Sequence, residues 1–314
     1  NNNIYLADYT NCRVRIICAT TAAGICSGAN RVNVGNQLLI DSSGTTTATA
    51  GNIYTIVGTG TCGASTENVS PLASNINNVT AVEITPADHI IIGDANHNMY
   101  AVNTSGGAAT IGGVSINANR IKHILGTNTY CGQAGDGAAG ATSTTCFYNA
   151  YLTNDIRMGP DGHIWFTENF YIGGRYAARL MRLNNTTGII NVMAGPPVSN
   201  YGTGNSTNGR ANGQSLLGPY GLTVLSDGTL VYNEGASGTT MGLKTVSPTT
   251  GYVNSWGSRG VITANGANFL LDTGTYSVYY PTKDSADNLI LSDYNINTVS
   301  IWNRGTAAIV RNNV

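Results

Sequence analysis

Apolar residues in this chain gather in short β-prone runs, and five of these share one outline. "NIYLAD" (3–8) returns as "HIIIGD" (89–94), "HIWFTE" (163–168), "TLVYNE" (229–234) and "NLILSD" (288–293). Each holds β-branched, aliphatic or aromatic residues, suits a strand covered on both faces or nearly so, and ends in an acid. Turn-formers follow each acid: "DYTN", "DANHN", "ENFYIGG", "EGASG" and "DYNIN". A second strand-like run comes next: "RVRIICA", "MYAVNT", "ARLMRL", "GLKTVS" and "TVSIW". The pattern predicts five hairpins, near 3–19, 89–104, 163–183, 229–247 and 288–303.

Further strands flank several hairpins. "AVEITPAD" (81–88), "DIRMGPDG" (155–162), "GLTVLSDG" (221–228) and, more loosely, "SVYYPTKDSAD" (277–287) each read as a strand closed by a tight turn. In such turns glycine takes a positive φ and aspartate bonds the local backbone. After most hairpins comes a fourth strand and a glycine: "NIYTIVGTG", "IKHILGT", "IINVMAG", "YVNSWGS". The acids Asp8, Asp94, Glu168, Glu234 and Asp293 recur at intervals of 86, 74, 66 and 59 residues. Four antiparallel strands per repeat at such spacing, with little helical periodicity, predict an all-β fold: a β-propeller of about five blades, or six, forming one domain over 1–314.

The wording is also that of a known repeat. "NIYLADYTNCRVR" resembles the NHL repeat, whose core runs aliphatic-Tyr-aliphatic-Ala-Asp, two variable residues, then Asn-x-Arg-aliphatic. "GTNTYCGQAGDGAAGATSTTCFYNAYLTNDIRMGPDGHIWFTE" looks like the linker and first two strands of the secreted bacterial NHL subgroup. The resemblance covers the chain as a diverged array, with the first and third units matching best. It implies a propeller, usually of six blades.

The five acids have a simple structural reading: a carboxylate ending the second strand accepts N–H bonds from the following turn. Asp8 also has Arg13 nearby in sequence. The sharper reading, a ring of acids at one mouth of the channel that binds cations, conflicts with the second strand not lining the axis.

Composition narrows the partners. Charged residues are 10% of the chain and the net charge is −1, which argues against nucleic acid or an anionic membrane as partner. No apolar run reaches the length of a membrane helix, and no apolar targeting segment opens the chain. Four histidines without metal-pair spacing and six cysteines without a CxxC motif give no reason to expect a metal or other cofactor.

An even cysteine count favours disulfides and an oxidising compartment. Cys131 and Cys146 bracket a glycine-rich linker, Cys18 and Cys26 flank a bend, and Cys12 and Cys62 remain. Six cysteines allow 15 arrangements, so connectivity stays open. N-x-S/T sequons at Asn68, Asn78, Asn103, Asn184, Asn185 and Asn205 lean toward an exported, glycosylated surface.

Two insertions, 20–51 and 105–120, fall between the third and fourth strands of the first two units. Long ordered loops of this kind usually serve function, and both read as docking surface. The first unit opens at its second strand. Either "TAAIVRNNV" (306–314) returns to complete it or its partner strand comes from elsewhere, and an unpaired edge captures other strands.

For catalysis the signal is thin. "DGHIWFTEN" (161–169) looks like a blade of the streptogramin-lyase type, making His163 and Glu168 the candidate pair. Yet His89 and His163 hold the same repeat position, His97 lies in a hairpin turn and His123 in an outer strand. No phosphate-binding loop or nucleophile elbow stands out. The expectation is a non-enzymatic extracellular or cell-surface structural propeller, self-assembling into a filament or array through its first blade and inserted loops. The alternative is a carbohydrate- or protein-binding surface module using its tyrosines, with a lyase- or lactonase-type enzyme third.

Overall fold

The computed structural model describes the chain apart from residues 1, 23, 30, 34, 41–42, 128–135, 143–154, 173–174, 196–208, 212–215, 217–218, 235–241, 250, 256–261, 265–266, 270–277, 294–297, 304–308 and 314. The fold is all-β, a β-propeller of five blades. Among the described residues there is no α-helix, only three single 3-10 turns at 24–26, 71–73 and 140–142. The chain divides into two compact units, residues 1–150 with 183–189, and 151–182 with 190–314.

In the first unit, β1 (Ile4–Asp8) and β2 (Arg13–Ile17) form the hairpin of the first sheet, with Asp8 opposite Arg13. The insertion adds β3 (Val32–Asn33) and β4 (Gln37–Leu38) before β5 (Ile53–Val57) returns beside β2. The order is β1-β2-β5-β4-β3, with β4 parallel to β5. Ile25, Val32, Leu38 and Ile40 of this insertion join the main hydrophobic core, so much of it serves packing rather than an open loop surface.

The second sheet has the full set: β6 (Val79–Ile84), β7 (Ile90–Asp94), β8 (Met99–Val102) and, after the hairpin of β9 (Ala109–Ile111) and β10 (Val114–Ile116), β11 (Ile121–Leu125). The β9–β10 turn reaches a turn of the third blade at 184–188. Gly113 N–H donates to the Asn185 carbonyl at 3.0 Å, and Gly112 N–H to Asn185 Oδ1 at 2.8 Å. A Cβ at Gly113 would lie 2.2 Å from the Gly188 nitrogen, so glycine alone permits the approach. The second insertion acts as a clamp between neighbouring elements.

The remaining sheets are β12 (Ile156–Met158), β13 (Ile164–Ile172), β14 (Arg175–Leu183) and β15 (Ile190–Ala194), in that order. Then come β16 (Gly209–Arg210), β17 (Leu222–Val224), β18 (Leu230–Glu234), β19 (Gly242–Val246) and β20 (Tyr252–Ser255), ordered β16-β20-β19-β18-β17. A small pair, β21 (Ile262–Ala264) and β22 (Ala267–Phe269), precedes the last sheet of β23 (Val278–Lys283), β24 (Leu289–Asp293), β25 (Thr298–Trp302) and β26 (Ile309–Asn313). The tail strand β26 pairs with β25, so it completes the fifth sheet.

Local chemistry explains the repeated glycine. Gly58, Gly126 and Gly195 end the fourth strands at φ of 94°, 95° and 119°. A Cβ at each would meet the carbonyl oxygen of Cys12, His97 or Ala178 at 2.4, 2.3 and 2.9 Å. Both the left-handed backbone and the close approach require glycine there.

Candidate functional site

The repeat acids share a position in the strand pattern but not an environment. Asp8 accepts from Asn11 Nδ2 at 2.7 Å and pairs with Arg15 Nε at 2.9 Å, each side chain 24% exposed. Burial opposes its charge, but the bonds from Asn11 and Arg15 outweigh that and hold the carboxyl below the usual range. Its partner is Arg15, not Arg13: the Arg13 guanidinium turns aside to donate to the Thr59 carbonyl at 3.1 Å.

Asp94 is fully buried and accepts from the Asn96 and Asn98 backbone N–H groups at 2.9 and 3.0 Å, and from Asn98 Nδ2 at 3.2 Å. Burial dominates and pushes it up to about 6, against the pull of those bonds. Glu168 is buried too, and Arg179, equally buried, donates from Nε to its Oε2 at 2.6 Å and places Nη2 on the same oxygen. The side chains of Glu234 and Asp293 lie outside the described residues, as do Cys131 and Cys146.

The histidines hold structural places. His89 Nδ1 lies 3.2 Å from Thr104 Oγ1, and the Asp161 carboxylate accepts the His163 backbone N–H at 3.1 Å. His97 occupies a turn at φ 66°. His123 packs against Tyr100 with ring centroids 5.7 Å apart, and burial lowers its pKa. Among the described residues no cluster of His, Cys, Asp or Glu is arranged to hold a metal.

Two acids that the sequence pattern does not mark tie sheets together in the second unit. Asp155, just before β12, meets Arg157 at 2.7 Å and accepts the Leu222 N–H of β17 at 3.1 Å. Burial pushes it up to about 6. Asp287 accepts the Ser226 N–H at 2.9 Å and pairs with Lys283 at 2.5 Å. Burial opposes its charge, but Lys283 and Ser226 more than reverse that and bring it to about 2. The signal for Asp155 was an acid two residues before an arginine at a strand start.

Two disulfides are present: Cys12–Cys62, joining the first hairpin turn to the segment after β5, and Cys18–Cys26, closing the first bend of the insertion. They fit an oxidising, non-cytoplasmic location. No helix is long and apolar enough to cross a membrane.

The most unusual surface lies on the first sheet. β1 occupies the second-strand place of the repeat, yet it is an edge of its sheet, with no inner strand beside it among the described residues. Ile4 and Leu6 are 53% and 37% exposed, and Ile53, which flanks Ile17 on the same face, is 44% exposed.

No family model matches the sequence, and no curated protein matches it. Solved structures do. A Bacteroides thetaiotaomicron protein of unknown function is 12% identical with a TM-score of 0.46, covering 74% of this chain and 46% of its own. A streptogramin B lyase is 12% identical with a TM-score of 0.41, covering 75% and 54%. A chain of a nidogen–laminin complex is 10% identical with a TM-score of 0.37, covering 98% and 91%. The chain thus spans about half the length of the first two.

Proposed function

We propose that this chain is a non-enzymatic structural propeller of the NHL-repeat kind, working outside the cell or at its surface as the subunit of a self-assembling filament or array. The observation that carries the reading is the open edge of β1. A strand whose equivalents sit second in their sheets here shows its own N–H and C=O groups and two large apolar side chains to solvent. Such edges are normally blunted by charge, proline or a covering element, and an open one recruits another chain.

Two observations support the reading further. The disulfides suit an extracellular site, and the low charge leaves few groups to oppose close packing of copies. The acid of the lyase-like pair, Glu168, is engaged in its ion pair with Arg179 and fully buried, which weighs against a free general acid or base there.

Sedimentation velocity and negative-stain imaging of the oxidised protein test this directly. The expected result is growth into long or planar assemblies as concentration rises; a strictly monomeric protein overturns the proposal.

A further inference from the structure

The repeat makes it possible to ask what should cover Ile4 and Leu6. Counting back from the acid, Ile4 is equivalent to Ile90, Ile164, Leu230 and Leu289, and Leu6 to Ile92, Phe166, Tyr232 and Leu291. All eight equivalents are at most 2% exposed. In the first unit, Ile90 and Ile92 share a core with Val14, Ile16 and Ile56 of the first sheet. In the second, Leu230 and Tyr232 share a core with Ala178, Leu180 and Ala194 of the third sheet. These positions therefore point at the sheet that precedes them, and a blade face is their ordinary cover. The first sheet carries the apolar chemistry of a covered face without the cover.

The fifth sheet shows the reciprocal feature. Leu289, Leu291 and Trp302 on one side are buried. On the other, Ile290 lies opposite Ile301 and Ser292 opposite Val299. Ile290, Ile301 and Val299 are only half-buried and Ser292 is exposed. That side corresponds to the one bearing Tyr5 and Ile16 in the first sheet, which packs toward the sheet that follows.

We propose that the Ile4–Leu6–Ile53 face of one copy is covered by the Ile290–Ile301 face of a second copy. This rests on the reading of the chain as an assembling subunit and names the surfaces involved. A blade face is the occupant whose twist and apolar pattern the fold itself uses at every equivalent position. Because the two surfaces differ, the contact is heterologous and propagates head to tail, into an open filament or a closed ring of copies.

Two blocked variants test it. Leu6→Asp places a charge on the first face at an exposed site, and Ser292→Arg does the same on the second. Ile290→Asp serves as an independent block, and circular dichroism with thermal melting confirms that each variant folds. Each variant alone is expected to lose growth, with affinity at least tenfold weaker. Mixed, Leu6→Asp and Ser292→Arg are expected to form a 1:1 dimer that grows no further, since each retains one working face. Folded variants that assemble like the parent overturn the face assignment while leaving the subunit reading standing. A mixture that stays monomeric, or growth lost only with Leu6→Asp, overturns the head-to-tail contact. A parent protein that never assembles overturns both.

Discussion

The first and second sheets read almost alike in sequence, yet their hairpins live in opposite conditions. In β7 every residue is buried; in β1 the equivalent apolar side chains face solvent. The acids follow suit. Asp8, beside Arg15 at the surface, is held below the usual carboxylate range, whereas Asp94, bonded only by neutral groups and fully buried, is raised to about 6. The same residue at the same repeat position thus titrates in opposite directions, and the cause is the cover over it rather than the motif.

The third copy offers the severest way to break this comparison, because Glu168 combines burial with a charged partner. Glu168→Ala leaves the Arg179 guanidinium buried without its carboxylate, and a loss of about 3–5 kcal/mol in chemical denaturation is expected. Replacing both together, as Glu168→Leu with Arg179→Met, is expected to recover most of that loss. If the single and double variants cost the same, the ion pair is not what holds this hairpin.

Next come the apolar equivalents. Ile92→Ala is expected to cost about 3 kcal/mol, the usual penalty for an emptied core position. Leu6→Ala should change the monomer by no more than about 0.5 kcal/mol. Equal costs in urea melts at low protein concentration would mean that Leu6 is already covered in the isolated chain.

The pH dependence of Asp94 sharpens the contrast. Its folded value lies above its ordinary one, so the folded form holds the proton more tightly. The stabilisation is complete below about pH 4 and is lost as pH rises through about 6, a change of roughly 2–3 kcal/mol. Asp94→Asn removes that loss while keeping an oxygen for the Asn96 and Asn98 N–H groups. The variant should match the parent near pH 3 and exceed it near pH 7; a variant no more stable at pH 7 would contradict the burial argument. The smallest effect belongs to Asp8, whose depressed value means stabilisation present at neutral pH and lost as pH falls through its folded value. Asp8→Asn should cost less than about 1 kcal/mol at pH 7, as surface pairs do, with the difference vanishing in acid.

These contrasts mark what the sequence makes legible. The hairpins, their flanking strands and the glycines after fourth strands follow from local chemistry: β-propensity, turn residues and backbone angles written within a few neighbours. Asp8 choosing Arg15 over Arg13 does not, because Arg13 is drawn to a carbonyl 46 residues away. Nor does the clamp of Gly112 and Gly113 onto Asn185, 73 residues on, which depends on two turns meeting in space. Asp155 is invisible for the same reason, since its bond to Leu222 crosses from one sheet to the next. The disulfide Cys12–Cys62 spans 50 residues, and closing such a loop removes about 4 kcal/mol of unfolded-state entropy, yet no spacing rule singles out that pair.

The central claim is that the first sheet is finished by another copy, and amide hydrogen exchange at Ile4, Leu6 and Asp8 addresses it most directly. Measured across a dilution series, these amides should exchange rapidly in dilute protein and become protected in step with assembly. Amides of Ile90–Asp94 should stay protected throughout. Protection of β1 that is already complete at the lowest concentration, in a monomer, would contradict the account.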